Sequence, residues 1–303
     1  MRYPSLIRTI LCTVPLTAFP GGRSQALLFS VFDRLFEERD FNQTVRVDGV
    51  RLKVNLQHPG ERLLYYAPCN MLLVFRRSDL YLLMRRLHNP AGGVFVDIGA
   101  NLGMYSLLAR QLGLDTILFE PEPRHYDFLL RNNHAFGRVV GCALSDSVGI
   151  SKFYVGSEQN PGGSSLVAPS EYYNAYEGLT VVKVSTFDAI LGDLGIDPSS
   201  LRMIKVDVEG NEQRTLRGMS GYLSHPEAAP VWCEVRASGS GRGNNYIAIM
   251  RYMAEFGYHA YRTEGQVVYA FRPTSPLPGT VFDLLFLVPE RHGYLINDVA
   301  PMT

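Results

Sequence analysis

The sequence predicts an α/β fold, a doubly wound parallel sheet with helices on both faces, preceded by a helix and hairpin extension. Three observations carry this reading. From Gly92 onward, apolar strand patterns alternate with amphipathic helix patterns, the mark of βαβ units. The apolar run VFVDI leads directly into a glycine-rich turn and then a helix, the place where open parallel sheets bind ligands. The composition, 46% hydrophobic and 19% charged over 303 residues, is that of a packed globular chain; it excludes a mainly disordered or collagen-like one.

The elements follow in order. Arg2 and Arg8 precede a mildly apolar run from Ile10 to Phe19. The run contains Thr13, Pro15 and Thr17, no small-x-small cleavage pattern closes it, and it is shorter than the roughly 20 apolar residues that span a bilayer. Export is therefore not expected, nor a membrane span, and a cytoplasmic location is. Residues 24–39 read as a helix capped by Ser24, with Leu27, Leu28, Val31, Phe32, Leu35 and Phe36 on one face. TVRVDGVRLKV alternates around Asp48-Gly49, a hairpin signal. A further helix is expected from Ser78 to about Leu87, before Asn89-Pro90. Then come strand GGVFVDIG, helix MYSLLARQL, strand DTILFEP, helix RHYDFLLRNNHA and strand RVVGCAL. After a loop rich in Gly, Ser, Asn and Tyr over residues 156–178, the alternation resumes. It does so with strand LRMIKVDVEG, a helix, strand APVWCEV, helix NNYIAIMRYMAEFG and the late strands YHAYR, QVVYAF and FDLLFLV, including an antiparallel edge. The domain boundaries expected are an extension over 1–90, a core domain over 91–290 and a tail over 291–303.

Lys plus Arg and Asp plus Glu both number 29, so the formal net charge is zero. No global field draws the chain to nucleic acid or to an anionic membrane. The four cysteines, Cys12, Cys69, Cys142 and Cys233, are far apart. They form neither a disulfide framework nor a metal-ligand set with a histidine, and reduced thiols are expected.

The turn after the first core strand carries the chemistry. Asp97, Gly99, Ala100, Asn101 and Gly103 lead into a helix whose first N–H groups are free for a ligand. The third glycine of a dinucleotide fingerprint is absent, as is the Gly-Lys-Ser/Thr of a P-loop. Glu120, followed by Pro121, lies 23 residues after Asp97 (120 − 97) at the end of the next strand. A carboxylate there accepts both hydroxyls of a ribose. The combination suits an adenosine cofactor without a pyrophosphate, namely S-adenosyl-L-methionine.

A second constellation is IKVDVEGNE. Continued strand alternation would put Lys205, Asp207 and Glu209 on one face at the carboxyl end of a central strand. Two carboxylates this close raise one another's proton affinity, leaving one able to act as a base; the alternative use is as hard oxygen ligands for a divalent cation. Glu212 is equally suited to the first turn of the following helix, where the dipole favours an acid. Tyr172, Tyr173 and Tyr176 either stack on an acceptor ring or anchor their loop. His125 and His134 are expected to face solvent or the helix–sheet seam. Arg236, Arg242 and Asn244 flank the turn SGSGRG; Arg242 either contacts an acidic acceptor group or is simply solvated.

The matching pieces occur in one order along the chain. They are FVDIGANLGMYSLLA, FEPEP, the Asn132-Asn133 pair, CALSD with a later Gly149, GGSSL, VSTFDAIL, IKVDVEGNE with Gly218, WCEV and FDLLFLVPE. Over roughly residues 90–290 this ordered set resembles the FkbM-type methyltransferases, a branch of the S-adenosylmethionine-dependent class, while the first 90 residues match only loosely in layout. The resemblance implies a Rossmann-like methyltransferase sheet and transfer of a methyl group to a hydroxyl of a carbohydrate or secondary metabolite. It also implies residue roles. Asp97, Gly99, Ala100, Asn101 and Gly103 would surround the methionine end of the cofactor, Glu120 and Pro121 the ribose, and Ala143 and Leu144, with Ser145 or Asp146 nearby, the adenine. Asp207 and Glu209, with Lys205 and Glu234, would face the reacting centre, with no resident metal. Asn211 departs from the pattern, since a small residue is commoner before the Glu. The partners expected are a small-molecule or glycan acceptor and a second copy of the chain. Two other readings are a nicotinamide-dependent oxidoreductase and a non-catalytic module that has kept the cofactor turn; Asn101 and the missing third glycine speak against the first, Asp207 and Glu209 against the second.

Overall fold

Asp48 and Gly49 reverse the chain with positive φ (+49° and +85°), the backbone that a two-residue hairpin requires. They join strands β1 (Asn42–Val47) and β2 (Val50–Asn55) in the expected register. In this computed structural model the described residues are 41–87, 92–157, 160, 162–168, 176–237, 246–272, 277 and 281–297. The mildly apolar run from Ile10 to Phe19, the helix over 24–39, and the readings made for Cys12, Tyr172, Tyr173, Arg242 and Asn244 lie outside them.

Three helices follow the hairpin: α1 (Pro59–Tyr66), α2 (Pro68–Arg76) and α3 (Asp79–Leu87). Only α3 was legible in the sequence. Pro59 and Pro68 sit in the first turns of α1 and α2, where a missing N–H costs nothing, so prolines that look like breakers are here initiators.

The central sheet runs β3 (Val94–Ile98), β4 (Asp115–Phe119), β5 (Arg138–Val140), β9 (Leu201–Val206), β10 (Val231–Arg236), β11 (His259–Glu264), β12 (Val267–Ala270) and β13 (Val281–Leu287). In space the order is β12-β11-β13-β10-β9-β3-β4-β5. Strands β10, β9, β3, β4 and β5 are mutually parallel, and β13 lies antiparallel between β10 and β11. The intervening helices are α4 (Met104–Gln111), α5 (Pro123–Arg131), α6 (Phe187–Leu194), α7 (Glu212–Arg217) and α8 (Tyr246–Ala254). From β3 the chain proceeds to β4 and β5 on one side; from β9 it proceeds to β10 on the other. The β3/β9 boundary is therefore the switch point at which a doubly wound, Rossmann-like sheet opens a crevice beyond its strand ends.

Strand alternation divides the core in two. One face carries Phe95, Leu118, Met203, Trp232 and Leu285, covered by Leu107 and Leu108 of α4, by Val45, Leu52 and Val54 of the hairpin, and by Leu64, Leu72, Leu80 and Met84 of α1–α3. The other carries Val96, Ile98, Ile117, Ile204, Val206 and Cys233, covered by Phe187 and Leu191 of α6, Leu216 of α7, and Ile249 and Met253 of α8. The extension is tied to the sheet's own helices. The Lys53 N–H donates to Asn132 Oδ1 (2.7 Å) and Asn132 Nδ2 donates back to the Lys53 carbonyl (2.9 Å), so an amide stands in for a neighbouring strand. Arg131 donates to Glu61 at 2.9 Å, and burial pushes that carboxyl up to about 7.

Several boundaries differ from the sequence expectation. The helix expected over RHYDFLLRNNHA ends at Arg131 and resumes as a single turn over Asn133–Phe136, because the Asn132 side chain caps the Phe128 carbonyl and serves β2. RVVGCAL is not one strand. It divides into β5 and a two-residue β6 (Ala143–Leu144), which joins β7 (Gly149–Gly156) and β8 (Tyr176–Ser185) in a separate three-stranded sheet. The loop expected over 156–178 is accordingly bracketed by an antiparallel ribbon, whose outer face, Ile150, Leu179 and Val181, is exposed and so hid the two-residue alternation.

Candidate active site

Gly99 closes β3 with φ +78°, and a Cβ there would stand 1.8 Å from the Asp207 carbonyl oxygen. Only a glycine allows the turn to approach the end of β9 this closely. Asn101, also left-handed at φ +52°, carries the turn to Gly103 (φ +69°), which precedes α4. Beyond these strand ends lies a cavity lined by Gly99, Ala100, Asn101, Glu120, Pro121, Ala143, Leu144, Lys205, Asp207 and Glu209. Ten of the residues expected around the cofactor and the reacting centre thus share one cavity. Asp97, Gly103 and Glu234 do not line it.

Asp97 lies beneath the turn, 1% exposed. Its Oδ2 accepts from the Ser106 hydroxyl at 2.8 Å, and Lys205 Nζ approaches its Oδ1 at 3.5 Å. Burial pushes the Asp97 carboxyl up, opposed by Lys205 and the Ser106 hydroxyl. Lys205 also donates to the Gly99 carbonyl at 3.1 Å and pairs with Asp207 at 3.2 Å. Burial disfavours its ammonium, but Asp207 and Asp97 outweigh that and hold it charged.

Glu120 is buried just after β4. One oxygen accepts the Asn101 N–H (2.7 Å), the other the Glu122 N–H (2.9 Å), and burial raises its carboxyl to about 7. Each oxygen keeps a lone pair for a further donor. Past β5 the wall turns apolar, with Cys142, Ala143 and Leu144 facing Phe153 of β7. Asn211, the residue that departs from the family pattern, donates to the Leu144 carbonyl at 3.0 Å, and Thr215 adds a second bond at 2.9 Å, so its polarity fixes this wall.

The strand ends at Val206, so Glu209 does not reach the cavity by continued alternation. It adopts φ +54°, uncommon for a residue with a side chain. Arg236 of β10 donates to its carboxylate at 2.7 Å and lies 3.6 Å from Glu234. Oxygens of Asp207, Glu209 and Glu234 fall within 4.8 Å of one another. Arg236 and, through Asp207, Lys205 each bring one positive charge to this cluster. Burial and the Asp207 and Glu209 charges push the Glu234 carboxyl upward. Glu212 turns away from the cavity. It accepts the Val208 and Gly210 N–H groups at 3.0 Å and shapes the β9–α7 turn.

Sequence reasoning missed Phe153, Met71 and Phe75 of α2, and Tyr105 of α4, all of which line the cavity. The alternation in SKFYVG and the four-residue spacing of Met71 and Phe75 are the signals that point to them. His125, expected at the surface or the seam, also lines the cavity; burial lowers it to about 4. His134 bonds the Arg51 carbonyl at 2.9 Å, outside it. Tyr176 packs edge-on against Tyr154 and not against the cavity.

The sequence profile described as Methyltransferase FkbM domain matches residues 97–260, more than half of the chain and every strand end around the cavity from the Gly99 turn to Glu234. The chain belongs to the FkbM methyltransferase family. This FkbM-type chain is 30% identical over 187 residues to the 31-O-demethyl-FK506 methyltransferase FkbM of Streptomyces tacrolimicus, covering 53% of this chain and 71% of that one. It is 31% identical over 193 residues to the methyltransferase sdnD of Sordaria araneosa, covering 53% and 74%. It is 30% identical over 133 residues to the hexuronic acid methyltransferase AglP of Haloferax volcanii, covering 43% and 51%. The FkbM-type chain is thus a methyltransferase, which sets aside the oxidoreductase and the non-catalytic module. Among the described residues, no helix is long and apolar enough to cross a membrane.

Proposed function

We propose that this enzyme transfers the methyl group of S-adenosyl-L-methionine to a hydroxyl of a carbohydrate or secondary metabolite, with Asp207 as general base. The observation that carries the reading is a single cavity that holds a carboxylate with spare lone pairs, Glu120, and a second one, Asp207, on either side of the Gly99 turn. The residues fit the cofactor. Cys142, Ala143, Leu144 and Phe153 form an apolar wall suited to adenine, Glu120 suits a ribose diol, and the close approach at Gly99 leaves main-chain atoms open to the ligand.

When bound, S-adenosylmethionine supplies a methyl group already activated by its sulfonium. The chain's task is to align and deprotonate the acceptor. Asp207, half-buried and facing the cavity, accepts the hydroxyl proton as the oxygen attacks. Lys205 fixes the carboxylate against the Gly99 turn, so base and cofactor share one frame. Such positioning is worth up to about 7–11 kcal/mol in ideal cases. Glu209, held by Arg236, orients the acceptor from the far side, and Glu234 supports Arg236. Relatives named for 31-O-demethyl-FK506 and for a hexuronic acid support a hydroxylated acceptor.

The test is a titration with S-adenosylhomocysteine followed by the fluorescence of Trp232, the chain's single tryptophan, which lies beside Lys205 in register. Saturable binding of S-adenosylhomocysteine, with none of NADH, supports the reading. No affinity for it sinks the assignment.

A further inference from the structure

We propose that the acceptor is a ring alcohol with an apolar face, and that Met71, Phe75 and Tyr105 form the wall on which that face lies while its hydroxyl meets Asp207. The inference rests on the reading of the Gly99 cavity as the S-adenosylmethionine site and names what occupies its other half.

Strand order lays the cavity out across the sheet. Cys142–Leu144 lie beyond β5, Glu120 beyond β4, the Gly99 turn beyond β3 and Asp207 beyond β9. The nucleoside features are therefore on the β5 side and the carboxylates on the β9 side. The Tyr105 ring belongs to the β9 side, since Lys205 Nζ sits 5.8 Å from its centroid. Phe75 packs edge-on against that ring, centroids 4.9 Å apart at 86°. Met71 lies one helical turn before Phe75 and lines the same cavity. Together they present a thioether and two aromatic rings.

This wall is unsuited to the charged amino-acid tail of the cofactor. The Lys205 ammonium beside the Tyr105 ring is already shared among Asp97, Asp207 and the Gly99 carbonyl. In contrast to this wall, the carboxylates of Asp207 and Glu209 line the same cavity at the end of β9. A ligand that satisfies both sides is apolar on one face and hydroxylated on the other. The wall is also rigidly placed, because Leu72 of α2 is buried in the same core as Phe95, Met203 and Trp232. Met71 and Phe75 lie outside the span 97–260 shared with the family and Tyr105 within it, so selection of the acceptor is assigned to α2 packed against the first turn of α4, and chemistry to the shared domain.

The test uses the full chain saturated with S-adenosylhomocysteine and two six-membered ring probes, trans-1,2-cyclohexanediol and myo-inositol, read by Trp232 fluorescence. Cyclohexanediol is expected to bind saturably and about tenfold more tightly than inositol. Phe75→Ala and Met71→Ala should each weaken cyclohexanediol by about tenfold, Phe75→Leu by less, with S-adenosylhomocysteine affinity changed by no more than about twofold. Equal affinity for the two rings, no saturable binding of either, or indifference to all three substitutions overturns the proposal. A parallel loss of S-adenosylhomocysteine affinity overturns it too, by assigning the wall to the cofactor. Failure of the unsubstituted chain to bind S-adenosylhomocysteine is a different result and removes the underlying reading instead.

Discussion

Lys205 is ion-paired with Asp207 at 3.2 Å, and the same ammonium holds the Gly99 carbonyl at 3.1 Å. One buried cation therefore sets the distance between the proposed base and the proposed cofactor turn, and beneath them it also approaches Asp97.

Replacing this cation exposes its structural role. Lys205→Met leaves the Asp97 carboxylate buried without its charged partner, and breaking such a pair from one side costs about 3–5 kcal/mol. Urea denaturation at pH 7 is expected to show that loss, and Lys205→Met,Asp97→Asn should recover part of it. Equal stability of the single variant and the unsubstituted chain would show that the pair contributes nothing.

Asp207→Asn should lower methyl transfer by about 10²–10⁴-fold, the range of a general base, while S-adenosylhomocysteine affinity changes little. Glu209→Gln should raise the acceptor KM more than it lowers kcat, since its carboxylate is engaged by Arg236. Equal losses in kcat from both substitutions would mean that Glu209 shares the proton transfer.

Cofactor affinity should depend on pH through Glu120. Burial raises its carboxyl to about 7 from the usual 4.5. The ionised form is the better acceptor for two ribose hydroxyls. Affinity for S-adenosylhomocysteine is thus expected to climb as pH rises through about 7 and to level above it, and calorimetry at pH 6 and pH 8 measures the difference. In Glu120→Gln the rise should vanish. The same shift acts oppositely on folding: a carboxyl whose proton is held more tightly in the folded state contributes stability below about 4.5 that is lost as pH approaches 7.

Gly99→Ala places a methyl 1.8 Å from the Asp207 carbonyl oxygen at a left-handed φ. The β3 turn and the end of β9 must then part. Loss of S-adenosylhomocysteine binding and a lower melting temperature are expected together; a variant that binds normally would contradict the close approach.

The parallel sheet and most of the site were legible because buried strands and the glycine turn leave strong local marks. VFVDIGANLG and IKVDVEG each carry a full apolar strand run and its end in one stretch. The rest was not, for identifiable physical reasons. Helices α1 and α2 begin at prolines, and the apolar residues of α2 divide between a buried position, Leu72, and exposed ones, Leu73 and Val74, so no single face stands out. β7 and β8 carry Ile150, Leu179 and Val181 outward and Phe153 inward, which blurs the strand period. Glu209 reaches the cavity through a left-handed backbone, a conformation that side-chain alternation cannot foretell. Met71 and Phe75 depend on a contact between segments about thirty residues apart, visible only once α2 is laid against α4.

The amide of Asn132 stitched to both main-chain groups of Lys53 bears on how this enzyme can be dissected. The hairpin and α1–α3 complete, with α4, the cover over one face of the sheet. Trimmed to the family-matched span, the protein would lose Val45, Leu64 and Met84 from the core that holds Met203 and Trp232 and so bare part of that apolar face. A bare apolar surface of that kind invites self-association, so the smallest self-sufficient form of this catalyst reaches back at least to the first strand.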